Sequence, residues 1–189
     1  MRSSTVMVVF GTRPEAIKMA PVVQKLRDHP HLEPLVVVTG QHRQMLDQAL
    51  APFAIVPDED LDLMLADEGR ASLFSRSLSG VSDSVRRRQP DLMLVHGDTS
   101  TTLAAALAAF YARVPMGHVE AGLRTQNMAA PWPEEMNRRL TAPLARIHFA
   151  PTASARTNLL AEGIQPNWIE VTGNTAVDAI LSVSRQIRE

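Results

Sequence analysis

Six short runs of apolar and β-branched residues recur along the chain, with helix-periodic segments lying between them. They are Thr5–Phe10, Pro34–Thr39, Asp91–Val95, Val114–Val119, Ile147–Ala150 and Ile169–Thr172. Stretches such as "LVVVT" and "LMLV" are apolar throughout. A strand covered on one face alternates in polarity; one covered on both does not. The runs therefore suit a parallel sheet flanked by helices on either side. Between them, Met19, Val22, Val23 and Leu26 recur at i, i+3, i+4 and i+7. Phe74, Leu78, Val81 and Val85 follow at i, i+4, i+7 and i+11, again one helix face. This alternation predicts an α/β, doubly wound parallel sheet.

Local punctuation refines the expectation. Pro14 fits the first turn of the opening helix, where its missing N–H is harmless, whereas Pro21 lies deep enough to kink or restart that helix. Arg86, Arg87 and Arg88 close the second helix with cations suited to its dipole, and Pro90 stops it. The acidic segment 52–68 reads as an irregular, mobile connection. The terminal stretch from Thr175 reads as a helix, and the sequence leaves open whether it packs back or reaches to a neighbour.

Composition narrows the function classes. A formal net charge of −1 with 21% charged residues gives no electrostatic case for a nucleic-acid or membrane partner. No apolar stretch approaches a membrane span, and the polar start does not read as a signal peptide. Cysteine is absent, which removes disulfides, thiolate catalysis and thiolate-bound zinc. A cytoplasmic globular protein is the expectation.

Ligands of open parallel sheets bind beyond the carboxyl ends of the strands. The residues just past each run are selective: Gly11, Thr12 and Arg13; Gly40, Gln41 and His42; His96, Gly97, Asp98 and Thr99; Glu120, Ala121 and Gly122; Gly173 and Asn174. Beyond the fourth run lies "PWPEEMNRRL", with Glu134 and Glu135 in a helical first turn. The fold would bring Arg13, Lys18, Asp98, Glu120 and a "PEE" glutamate to one cleft. Plainer roles compete. Asp98 precedes Thr and Ser like a helix cap, Glu134 and Glu135 suit a helix N-terminus, and the six histidines, lacking metal-ligand spacing, suit surfaces and helix ends. The first turn also carries neither G-x-G-x-x-G nor G-x-x-x-x-G-K-[ST], although its strand–turn–helix layout is one that holds phosphate.

The segments "FGTRPEAIKMAP", "QHRQMLDQ", "VHGDTSTTLAAALAAFY", "GHVEAGLRT", "PWPEEMNRRL" and "TGNTAVDA" together resemble the non-hydrolysing bacterial UDP-N-acetylglucosamine 2-epimerases. The resemblance runs from Val6 to about Ala179. It implies a Rossmann-like lobe over 1–174, one of two lobes facing a cleft in the glycosyltransferase B fold, with 175–189 opening a linker to a second lobe. It also implies interconversion of UDP-GlcNAc and UDP-ManNAc without a redox or metal cofactor, by elimination of UDP to 2-acetamidoglucal and re-addition. That chemistry needs a base at C2, an acid or base on the opposite face and cations for the diphosphate. By the resemblance, Asp98, Glu120 and Glu134 are the acid/base carboxylates. Arg13 and Lys18 contact the substrate, and Arg138 is a supporting cation. In place of a Gly-rich cradle, Arg13 and Lys18 with the helix N-terminus would hold the leaving diphosphate.

The resemblance further implies a homodimer and supply of cell-envelope polysaccharide precursors. A second, regulatory UDP-GlcNAc would contact Gln41 and Gln44, although the arginine expected in the following loop aligns with Asp67. Three readings remain open from the residues: this epimerase, an epimerase of a modified UDP-HexNAc or a hydrolysing relative, and a non-catalytic nucleotide-sugar binding module.

Overall fold

The computed structural model describes residues 3–40, 43–63 and 69–188. Seven parallel strands form one sheet: β1 (Ser4–Phe10), β2 (Leu32–Val38), β3 (Glu59–Asp60), β4 (Leu92–His96), β5 (Met116–Val119), β6 (Ile147–Ala150) and β7 (Ile169–Val171). Their order is β3-β2-β1-β4-β5-β6-β7. The helices are α1 (Arg13–Arg27), α2 (Arg43–Leu50), α3 (Arg70–Arg88), α4 (Ser100–Ala112), α5 (Glu134–Thr141), α6 (Ala153–Ala161) and α7 (Thr175–Arg188). The chain begins mid-sheet, winds outward to β3, then crosses back to β4 beside β1. That reversal opens a crevice at the carboxyl edge between β1 and β4. Val9 pairs with Val95, so the turns at Gly11 and Gly97 leave the sheet side by side.

Both faces of β1 are covered, which explains its unbroken apolar run. Val6, Val8 and Phe10 belong to the apolar layer that includes Ala16, Met19, Ala20 and Val23 of α1. Met7 and Val9 belong to the opposite layer, with Val81 and Val85 of α3 and Ala105 and Ala109 of α4. The alanine-rich α4 packs closely on α3 and carries small buried side chains along most of its length. A third apolar cluster joins Ala150 and Ile169 to Ala155 and Leu159 of α6.

Three expectations are corrected or resolved. The sheet has a seventh strand, β3, inside the acidic segment read as irregular; residues 64–68 of that segment lie outside the described residues. Its two acidic residues pair with Val37 and Val38 at the sheet edge, where charge is expected and apolar patterning is not. Helix α1 runs unbroken through Pro21, with no restart. Burial of Met19, Ala20 and Val23 holds it on the sheet although proline removes one ladder donor. Finally, α7 packs back on α1, contributing Ala179 to the first core.

Gly122, in the turn after β5, has φ +87, and a Cβ there would lie 2.3 Å from the Ala155 carbonyl oxygen. Gly122→Ala should therefore remove about 3 kcal/mol or more of stability. Gly69→Ala, at the open start of α3, should change it by less than about 1 kcal/mol. Urea unfolding of both variants checks this; equal effects would contradict the packing described.

Candidate active site

A buried carboxylate ties the two central turns together. Glu15, in the first turn of α1, is only 2% exposed. It accepts hydrogen bonds from the backbone N–H of Gly11 (3.0 Å) and Thr12 (2.8 Å). The hydroxyls of Thr12 (2.8 Å) and Thr99 (2.8 Å) also donate to it, while the Thr102 hydroxyl, 3.2 Å away, donates to the His96 carbonyl at 2.6 Å. Burial pushes this carboxyl up and the donors pull it back. The turn after β1 and the start of α4 are thus locked to each other. Gly11 sits at the closest approach, where a Cβ would meet Thr39 Oγ1 at 2.2 Å and Thr101 Oγ1 at 2.6 Å.

Asp98 is not the helix cap. Thr99 takes that position in α4, its hydroxyl accepting from the Thr102 N–H at 3.1 Å. Asp98 is left to accept from Arg138 Nη2 at 2.6 Å, while Asn137 Nδ2 donates to its backbone carbonyl at 2.9 Å. One residue back, the His118 Nε2–H donates to the Gly97 carbonyl at 2.7 Å. Burial pushes the Asp98 carboxyl above its ordinary value; Arg138 opposes this, Glu134 and Glu120 reinforce it, and Lys18 opposes it.

Glu120 follows β5 with a left-handed φ of +60. Lys18 Nζ grips both of its oxygens, at 2.8 and 2.7 Å. Asn174, just past β7, donates to Oε2 at 2.8 Å, and His96 Nε2 lies 3.8 Å from that oxygen.

The two glutamates opening α5 have different tasks. Glu135 is fully buried and accepts from the Thr125 N–H and from Arg139 Nε, both at 3.1 Å, with Arg138 Nη1 at 3.5 Å. Burial pushes its carboxyl up, but these donors and cations outweigh it and leave the group below its ordinary value. Arg138 therefore stands between Glu135 and Asp98, fixed from behind. Glu134 is only partly buried and is close enough to Asp98 to raise it.

The structure thus brings Lys18, Asp98, Glu120 and Arg138 to one edge, with Glu134 in their field. Arg13 opens α1 on the same edge, exposed and without an ion pair among the described residues. Gln41 lies outside the described residues; Gln44 falls in α2, but its side chain also lies outside them. Glu15 and Asn137 were not singled out from sequence, and His96 and Asn174 stood there only among the strand-end residues, without a role. The "TRPE" capping pattern pointed toward Glu15, and Asn174 stood directly past a strand.

Histidine placement needs correction. His96, His118 and His148 are buried in the sheet, not at surfaces or helix ends. Val95 pairs with His118 and His118 with His148 across β4, β5 and β6. Burial lowers them to about 4, about 3 and about 4, so all three rings are neutral at pH 7. Among the described residues no cluster of His, Asp or Glu is placed to hold a metal ion, and no helix is long and apolar enough to cross a membrane.

Sheet order and an acidic, cation-braced edge define one Rossmann-like lobe of the glycosyltransferase B type, with paired carboxylates at its switch point. A family model described as UDP-N-acetylglucosamine 2-epimerase matches residues 24–189, and the chain belongs to that family. It is 55% identical over 182 residues to the UDP-N-acetylglucosamine 2-epimerase of Salmonella typhimurium, covering 96% of this chain and 48% of that protein. The corresponding Escherichia coli K12 protein is 54% identical over 182 residues, with 96% and 48% covered. The crystal structure of UDP-GlcNAc 2-epimerase from Neisseria meningitidis bound to UDP-GlcNAc superposes with a TM-score of 0.95 at 49% identity, covering 97% of this chain and 50% of that one. The chain spans about half the length of these relatives.

The three buried histidines make stability pH-dependent. Each ring has a folded value below its ordinary 6.5, so the unfolded chain binds more protons in between. Stability is present above about pH 6.5 and is lost as pH falls toward 4, by roughly 2 kcal/mol per ring at pH 5. Asp98 and Glu15, held above the ordinary carboxylate range, offset part of that loss. Urea unfolding at pH 7, 6 and 5 should show a steep decline; a flat profile would contradict it.

Proposed function

We propose that this chain supplies the catalytic face of a UDP-GlcNAc 2-epimerase, acting in a protein that carries both halves found in its relatives. The observation supporting this most strongly is the shared field of Asp98, Glu120 and Glu134: each of the two glutamates raises Asp98, beside Lys18 and Arg138. Clustered carboxylates cannot all ionise readily, which leaves a proton donor beside a base. One carboxylate removes the C2 proton as the diphosphate leaves C1; a group on the other face returns a proton to C2 of 2-acetamidoglucal as UDP adds back. Arg13 and Lys18 hold the departing diphosphate, and Arg138 fixes Asp98. Gln41 and Gln44 contribute to a second, regulatory UDP-GlcNAc site. The protein works in the cytoplasm as a homodimer, without metal or redox cofactor, and provides UDP-ManNAc for cell-envelope polysaccharide.

Half a cleft neither excludes water nor orients both ends of the substrate, so the 189-residue chain alone should turn over little. Incubation with UDP-GlcNAc, followed by separation of UDP-ManNAc, tests this in the isolated chain and in the full-length protein. The full-length protein should interconvert the two sugars. Asp98→Asn and Glu120→Gln should each lower its kcat by about a hundredfold or more. Activity unchanged in both variants would favour binding without catalysis.

A further inference from the structure

At the centre of this edge, one buried polar side chain has no task in the fold. His96 ends β4 and is 3% exposed, yet neither ring nitrogen makes a well-formed hydrogen bond among the described residues. Its neighbour His118 differs, because Nε2 there donates to the Gly97 carbonyl at 2.7 Å. Buried polar groups are normally paired, and leaving one unpaired weakens a fold that an apolar side chain would serve better. Packing alone therefore gives no reason for a histidine at this position.

The ring is aimed at Glu120. Nε2 stands 3.8 Å from Oε2, too far for a hydrogen bond and within about 1 Å of making one. The charged and titratable groups facing the ring are Glu120, Lys18 and His118. Lys18 on α1 and Asn174 past β7 occupy the Glu120 oxygens from the cleft side, whereas His96 approaches from within the sheet. On the proposed function Lys18 also holds the arriving diphosphate, and in doing so it leaves Glu120. A carboxylate released in that way needs another partner to hold its position.

We infer that His96 is a positioning residue, the neutral partner onto which Glu120 moves when an anion draws Lys18 away. The kinetic part of this inference rests on the epimerase reading; the structural part does not.

Two experiments in the full-length protein test it. Without any ligand, Lys18→Met removes the competing ammonium, and NMR of nitrogen-15 histidine should then show a downfield, slowly exchanging His96 Nε2–H proton absent from the parent. An unchanged ring signal would overturn the inference. In kinetics, His96→Leu should lower kcat by about tenfold or more, leave KM within about twofold, shift the pH profile of kcat and not lower the thermal midpoint. His96→Gln, which retains a donor, should recover most of the loss. A kcat unmoved by His96→Leu, or a glutamine variant no better than the leucine variant, would also overturn it. Failure of the epimerase reading is a separate outcome: the parent itself would not interconvert the sugars, and the ligand-free spectrum would then decide the role of His96.

Discussion

Everything at the carboxyl edge depends on the buried carboxylate of Glu15. The turns after β1 and β4 emerge side by side, but adjacency alone does not fix their relative height or angle. Four donors from Gly11, Thr12 and Thr99 converge on this one side chain and fix both. The backbone that carries Arg13 toward the cleft is thereby joined to the backbone that carries Asp98. Burial disfavours the charge, and the donors compensate for the solvent it has lost. It is a structural group, yet the functional groups take their positions from it.

Around that joint, charges alternate in space. Arg124 makes a two-point contact with Glu162, Arg139 lies between Glu162 and Glu135, and Arg138 lies between Glu135 and Asp98. The series runs from the end of α6 to the mouth of the cleft. A guanidinium fixed by a buried glutamate on one side presents its free edge in a defined direction on the other. Arg138 holds Asp98 without driving its carboxyl low, because burial and two nearby glutamates oppose the arginine. Glu120 is held differently, by an ammonium and an amide that meet it from the cleft. One carboxylate is braced by a buried glutamate–arginine pair and the other by side chains from α1 and the turn after β7.

The sheet was legible because its inner strands are covered on both faces, so residues 6–10 of β1 and 92–95 of β4 are apolar without interruption. β3 was not legible: two acidic residues at an edge carry no apolar signal. At Pro21 the restart that local backbone rules allowed does not occur, because its neighbours are buried on the sheet. At the site, Asp98, Glu120, Lys18 and Arg138 could be named from strand ends and motif resemblance, but their pairing could not. Lys18 and Glu120 are 102 positions apart, and no periodicity relates α1 to the turn after β5. The buried histidines were misjudged for a related reason. In "LVHGD", "GHVEA" and "IHFA" the polar residue sits within or at the end of a strand, and only sheet register reveals that His118 lies beside His148 while His96 lies beside Val119.

An epimerase built on this edge must take a proton from one sugar carbon and return another. Running the interconversion in deuterium oxide with the full-length protein, and reading position 2 of the product by proton NMR, addresses that directly. The arrangement described requires the product to carry deuterium from solvent at that carbon. Product that keeps the substrate's own hydrogen there would contradict it.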